Sequence, residues 1–336
     1  MAELEINMKI IVDVMGADQP PEELVKGCLM AVEEEDVEIV AVGDEVRIRS
    51  ALSGQKYADR VTVVHAPEAI EMCDEATSVV REKKNCSMAA ALRLLKDDGG
   101  DALVSAGNTG ALLAGGTLIV KRLPGIKRAA LAPVLPTKTG KILIIDCGAN
   151  VECRPEFLDQ FAVMGSVYMK RVMQVENPRV GLANIGAEET KGTPFCKESY
   201  ALLKENKRIN FVGNIEGRGV MLGDCDVVVS DGFTGNIILK TCEGAGMFMI
   251  GLIKNLFQGS IRGALSYLML KGKLGGLKKR LDYNETGGAV MLGLSRPVIK
   301  AHGSTDAKAL KNAIRQAKLV CLGHVCEEIR EAAVSE

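Results

Sequence analysis

Residues 213–235 read GNIEGRGVMLGDCDVVVSDGFTG. Asp226–Ser230 (DVVVS) within them is a continuous β-branched run, the pattern of a strand buried on both faces of a parallel sheet. It passes directly into Asp231-Gly232-Phe233-Thr234-Gly235, a polar glycine loop that opens a helix. A strand, a glycine loop and a helix start together aim backbone N–H groups, and the positive end of a helix dipole, at a small anion.

Working outward, the same layout recurs. Lys9–Val12 runs into Asp13-Val14-Met15-Gly16-Ala17-Asp18, and Pro20-Pro21-Glu22-Glu23 then starts a helix to about Glu34. Glu38–Val42 and Val61–Val64 are strands, and an Ala/Leu-rich helix follows near Ser87–Lys96. Ala102–Ser105 leads to Ala106-Gly107-Asn108-Thr109-Gly110, and Ile142–Ile145 to Asp146-Cys147-Gly148-Ala149-Asn150, with a helix around Leu158–Val172. Val180–Ala183 leads to the loop Asn184–Gly192 and a helix from about Thr193 to Asn206; Asn210–Val212 ends at Gly213-Asn214. Val298–Ala301 ends at His302-Gly303-Ser304-Thr305-Asp306, where Ser304 or Thr305 is the expected cap of a helix running to about Leu322.

Short Val/Ile/Leu strands alternating with helices predict an α/β fold: a three-layer α/β/α sandwich with a mainly parallel sheet. The expectation is one domain over 1–336. Gly, Asn and Asp are ordinary turn residues, so one such loop means little. Several of them at the carboxyl edge of a parallel sheet mark where a ligand binds.

The composition excludes several classes. The chain has 336 residues, 47% hydrophobic and 25% charged, with a net charge of −1. No overall field selects nucleic acid, and 4% aromatics without tryptophan give no base-stacking platform. Ten cysteines occur without a Cys-x-x-Cys pair, so no metal site is expected. Scattered cysteines behind an acidic, strand-like N-terminus fit a reducing cytoplasm. No run of about 18 uncharged apolar residues predicts a transmembrane helix.

Residues 244–281 differ from the rest. They contain no acidic residue before Leu281 but carry Lys254, Arg262, Lys271, Lys273, Lys278, Lys279 and Arg280. Apolar residues recur at helical spacing among them, including Phe248, Leu252 and Leu256. This predicts a basic amphipathic helical protrusion over about 244–285, suited to an anionic membrane or an acidic partner; a helical hairpin at a subunit interface is the alternative. Lys271, Lys273, Lys278, Lys279 and Arg280 are the expected contacts.

G-x-x-x-x-G-K-[ST], an early G-x-G-x-x-G and G-x-S-x-G are all missing, which argues against a P-loop kinase, ordinary NAD binding and a serine hydrolase. What remains is a set of amides, hydroxyls and glycine N–H groups with Lys191, His302 and a few carboxylates. That set suits an enzyme that holds an anion and stabilises an oxyanion.

IVDVMGAD (Ile11–Asp18), SAGNTGALLAGG (Ser105–Gly116), DCGANVECRPEFLDQFAVMGSVY (Asp146–Tyr168), NIGAEETKGT (Asn184–Thr193), NFVGNIEG (Asn210–Gly217), DVVVSDGFTGNIILKTCEG (Asp226–Gly244), GGAVMLG (Gly287–Gly293) and HGST (His302–Thr305) share one further property. Together they closely resemble the bacterial phosphate acyltransferases of phospholipid synthesis, which convert acyl-(acyl carrier protein) and inorganic phosphate to acyl phosphate. One departure is Gly16-Ala17, where that family commonly has Gly-Gly. The resemblance implies an isocitrate/isopropylmalate-dehydrogenase-like fold, a homodimer, peripheral membrane association and no cofactor.

Phosphate is already a nucleophile at neutral pH, so the enzyme need only desolvate it, hold it and stabilise the tetrahedral oxyanion. On this reading Asn214, Thr234, Gly235 and Asn236 build an anion cradle, with Asn236 at the reacting centre. Asn108, Thr109, Asn150 and Asn184 join from neighbouring loops. Lys191 supplies positive charge, or is a solvated lysine at a helix start. His302 protonates the leaving thiolate or holds phosphate, or is a structural histidine. Asp146 and Asp231 orient amides and Lys191, since a carboxylate beside phosphate repels it. Rival readings are a coenzyme A-dependent phosphotransacetylase, a metal-dependent hydroxyacid dehydrogenase and a non-catalytic membrane or carrier-protein scaffold.

Overall fold

The structure is a computed structural model that describes residues 8–257, 266–267, 269–276 and 287–334. The strands divide between two sheets. Among the described residues the larger has seven strands, in the order β3 (Val61–His65), β2 (Glu38–Gly43), β1 (Lys9–Asp13), β4 (Ala102–Ser105), β12 (Val298–Lys300), β11 (Ala289–Leu292) and β5 (Ala130–Ala132). β3 to β12 are parallel, while β11 runs antiparallel to both its neighbours. The smaller sheet runs β6 (Val134–Pro136), β7 (Lys141–Ile145), β10 (Val227–Val229), β8 (Arg179–Ala183) and β9 (Asn210–Ile215), with only β6 antiparallel.

The layers follow from the strand alternation. Ile10 and Val12 of β1 enter one core, shared with α1 (Pro21–Glu35) and α10 (Ala307–Leu322). Ile11 enters another, shared with α3 (Ser87–Lys96) and α4 (Thr109–Gly115). A strand that is apolar at every position is therefore covered on both faces. In the smaller sheet Leu143 and Ile145 pack toward α5 (Pro155–Arg171), and Ile142 and Ile144 toward α7 (Gly217–Leu222) and α8 (Gly232–Leu256). Gly27 marks how tightly α1 meets α10: a Cβ there would lie 2.7 Å from the Ala307 carbonyl oxygen.

The two sheets are stitched at β5 and β6. Pro133 separates these strands, and β7 bonds across the break: Ile144 N–H donates to the Pro133 carbonyl (3.1 Å) and Cys147 N–H to Leu131 (2.9 Å). Strand carboxyl ends of both sheets therefore border one cleft. The expected elements formed, with α3 spanning Ser87–Lys96 as read from sequence. The cap of α10 is a correction. It is Asp306, whose carboxylate accepts from Ala309 N–H (2.8 Å), because the Ser304 hydroxyl is held by His302 Nδ1 (2.8 Å) and Thr305 is buried.

Of the basic protrusion, α8 continues to Leu256 and residues 269–276 are helical. Lys271 and Lys273 are exposed on that second stretch. Lys278, Lys279 and Arg280 lie outside the described residues. Against expectation, α8 is long and apolar enough by length and composition to cross a membrane. Its first turns nevertheless wall the cavity described next.

Candidate active site

A cavity of about 340 Å³ opens where the two sheets meet, within the usual size of small-molecule sites. Its polar part comes from Thr109 at the start of α4, Asn236 and Lys240 on α8, and Lys300 and His302 at the end of β12. Its apolar wall comes from Leu131, Pro133, Val134 and Leu135 on the β5–β6 stitch, with Leu239 of α8.

Two close approaches set the α8 wall. A Cβ on Gly235 would lie 1.9 Å from the Asp146 carbonyl oxygen and 2.6 Å from Ser230 Oγ. A Cβ on Gly232 would lie 2.7 Å from the Asn150 carbonyl oxygen. Only glycines allow the helix to sit flush on the β7 loop. Asp146 organises that loop from a fully buried position. Its carboxylate accepts from Leu131 N–H (2.8 Å), Ala149 N–H (3.2 Å), Asn150 N–H (2.6 Å) and Asn150 Nδ2 (3.0 Å). Burial pushes its pKa up, against these donors.

The expected site residues fall into three groups. The first is structural. Asn108 caps α4 through Ala111 N–H (3.0 Å) and donates to the carbonyls of Glu71, Met72 and Asp74. Asn150 donates to Ala129 and Asp146. Asp231 caps α8, accepting from Thr234 N–H and Thr234 Oγ1, both at 2.8 Å, so the Thr234 hydroxyl is held too. Gly235 serves by its lack of a side chain.

The second group lies on the loop after β8 and at the end of β9. Asn184 Nδ2 donates to Asn214 Oδ1 (3.1 Å) and to the Lys191 carbonyl (3.3 Å). Asn214 Nδ2 donates to the Glu188 carbonyl (2.9 Å). These amides pin the loop that carries Lys191, whose side chain is exposed and does not line the cavity.

The third group is the cavity lining itself: Thr109, Asn236 and His302. The side chains of Thr109 and Asn236 make no hydrogen bond among the described residues, so their polar groups are available to a ligand. His302 keeps Nδ1 on Ser304, and burial, then Lys240, lower its pKa from the usual value. The ring is therefore neutral at neutral pH.

Two basic residues of the lining were not singled out from sequence. Lys240 lies on α8 beside Glu243 (2.8 Å). Lys300 sits in the VIK strand at 8% exposure. A lysine inside an otherwise apolar, two-face-buried strand was the available signal.

The fold has known counterparts. The family described as "Fatty acid synthesis protein" matches residues 8–328. The phosphate acyltransferase of Geobacillus thermodenitrificans is 46% identical over 325 residues, covering 96% of this chain and 98% of the relative. The chain belongs to the phosphate acyltransferase family. It is an acyltransferase. Solved structures with the same fold include a phosphotransacetylase from Streptococcus pyogenes, at 17% identity, TM-score 0.61, and 96% and 94% coverage of the two chains. A 4-hydroxythreonine-4-phosphate dehydrogenase from Klebsiella pneumoniae matches at 14% identity and TM-score 0.54, covering 94% of this chain and 99% of its own. The dehydrogenase-like α/β architecture expected of the family is thus present.

Proposed function

We propose that this acyltransferase attacks an acyl-(acyl carrier protein) thioester with inorganic phosphate, directly and without a covalent enzyme intermediate, to give acyl phosphate for phospholipid synthesis. The observation that carries this is the cavity's division of labour. Uncommitted Thr109 and Asn236 side chains, with basic neighbours, face an apolar wall at the carboxyl edge of the sheets. A phosphate on the polar side lies against a thioester whose acyl chain follows the apolar side.

A phosphate oxygen bonds to the carbonyl carbon, the carbonyl becomes an oxyanion, and its collapse breaks the C–S bond. Asn236 and Thr109 hold phosphate in the attacking position, where orientation supplies much of the rate. Lys191, on the loop after β8, supplies positive charge from the thioester side; β8 neighbours β10, which leads into α8. His302, neutral in the resting enzyme, sits on the cavity rim to take up the proton that the attacking hydrogen phosphate gives up and to return it to the leaving thiolate.

The test is transfer of radiolabelled phosphate from solution into acyl phosphate, with acyl-carrier and acyl-coenzyme A thioesters compared side by side. Label should enter acyl phosphate faster from the carrier-bound thioester. Faster transfer from coenzyme A would move the enzyme to the phosphotransacetylase reading, and no phosphate-dependent thioester loss would leave a scaffold.

The far half of α8 is assigned to peripheral membrane contact. Phe248 is 65% exposed and Leu256 77%, while Lys271 and Lys273 stand exposed on the helical stretch beyond. Apolar side chains beside basic ones suit an anionic lipid surface. Replacing Lys271 and Lys273 with glutamate is expected to weaken sedimentation with anionic vesicles at low salt; unchanged sedimentation removes the assignment. Exposed Ile237 and Met247 on the same helix support a homodimer contact, which a monomer mass in sedimentation velocity would exclude.

A further inference from the structure

The last rung of the larger sheet carries a row of polar side chains that the family reading leaves without a role. In the parallel register Asp13 of β1 pairs with Ser105 of β4, and Ser105 pairs with Lys300 of β12. Paired residues of a parallel sheet share one face, so the three side chains stand side by side. Asp13 is 1% exposed and Ser105 fully buried. Ser105 Oγ donates to Asp13 Oδ2 (2.8 Å), and Met15 N–H to Oδ1 (3.2 Å).

Lys300 closes the row and lines the cavity. Its ammonium donates to the carbonyls of Ala106 (3.2 Å) and Ala301. Among the described residues no carboxylate lies within ion-pairing distance of it. A buried lysine that meets only carbonyl oxygens has a third N–H and a full charge to offer. The groups facing it are Asp13 from β1, Asp18 from the following loop, Lys240 and Glu243 from α8, and His302 at the strand end. Burial drives the Lys300 pKa down to about 8, with Asp18 and Asp13 opposing the shift. Asp13, pushed up to about 6 by burial, is ionised above that pH and helps to keep the lysine charged.

We propose that Lys300 is the buried cation that binds inorganic phosphate in this cavity, with Ser105 and Asp13 as the positioning residues behind it. This deepens the proposed function by naming the charge that recruits the nucleophile. An ammonium held out of water attracts an anion far more strongly than an exposed one. The phosphate in turn satisfies the donor that the fold leaves without a counter-charge.

The pH signature has a defined sign. Phosphate is mainly the dianion from pH 7.5 to 9.5, and its small further ionisation there would strengthen binding, while His302 and Asp13 titrate below that window. Lys300 loses its proton across it. Wild-type affinity should therefore fall about tenfold between those two pH values, a decline that a variant without the ammonium lacks.

The experiment is equilibrium dialysis of the full chain against radiolabelled inorganic phosphate, at both pH values, for wild type, Lys300→Met and Lys300→Gln. Methionine keeps the length and burial of the stem, and thermal melting checks that each variant folds. Support is a loss of at least about tenfold in phosphate affinity at pH 7.5, converted as about 1.4 kcal/mol, together with the wild-type decline at pH 9.5. Affinity within about twofold of wild type in a folded variant, or wild-type binding that is flat with pH, overturns the proposal. If neither variant folds, the wild-type pH comparison alone decides it. Transfer of label to acyl phosphate by wild type, run in parallel, separates the two ideas. Turnover with phosphate affinity insensitive to Lys300 sinks only this inference. Lys300-dependent phosphate binding without turnover sinks only the functional reading.

Discussion

Gly235→Ala is expected to destabilise the protein by about 3 kcal/mol, at the upper end for forcing a methyl group into a packed site. The new carbon would sit 1.9 Å from the Asp146 carbonyl oxygen, a backbone atom that cannot turn away. Relief requires α8 to lift off the β7 loop. That movement displaces Asn236, one residue further on, and opens the cavity wall. Activity should fall with stability, and thermal melting should drop by roughly 4 °C. Gly140→Ala is the control, since nothing lies within 4 Å of a Cβ there; its melting point should stay within about 1 °C. A Gly235→Ala protein that melts with wild type would show that the helix does not approach the loop as described.

Asn236→Ala should give the other large effect, on turnover rather than folding. Its amide is exposed to the cavity and makes no hydrogen bond among the described residues, so its removal costs no internal contact. The role proposed for Asn236, a donor at the reacting centre, predicts a fall in kcat/KM of about 10²-fold, and the phosphate KM should carry part of it. Lys191→Ala should instead raise the KM for the acyl thioester about tenfold and leave the phosphate KM unchanged, because Lys191 stands on the β8 loop outside the cavity. Steady-state kinetics with each substrate varied in turn separates the two. Full rate in both variants would refute the site.

Much of the fold was legible because parallel strands buried on both faces read as unbroken apolar runs. KIIV, ILII and DVVV needed no tertiary context to be recognised. The antiparallel strands β5, β6 and β11 were not, because three or four residues carry too little periodicity, and Pro133 interrupts the run that holds β5 and β6. The division into two sheets follows from that break and was equally hidden.

The site was legible at the level of loops but not of side chains. Sequence places Asn108, Asn150, Thr234 and Asp231 at strand ends, yet the same chemistry that binds an anion also caps a helix. Asn108 and Asp231 cap α4 and α8, and only the hydrogen-bond pattern separates them from Thr109 and Asn236, one and five residues away. Lys300 was passed over for the opposite reason. It is embedded in the strand rather than in the polar loop that follows, and its approach to the cavity depends on register with Ser105 and Asp13. His302 begins the loop, a position legible in the sequence, and the structure puts it on the cavity lining.

The decisive measurement is an electron-density map of crystals soaked in inorganic phosphate. A tetrahedral anion should appear between α8 and the end of β12, within hydrogen-bonding reach of Asn236 and Thr109. An anion seated instead on the Asn184–Lys191–Asn214 rim, with the space between the two sheets unfilled, would contradict it.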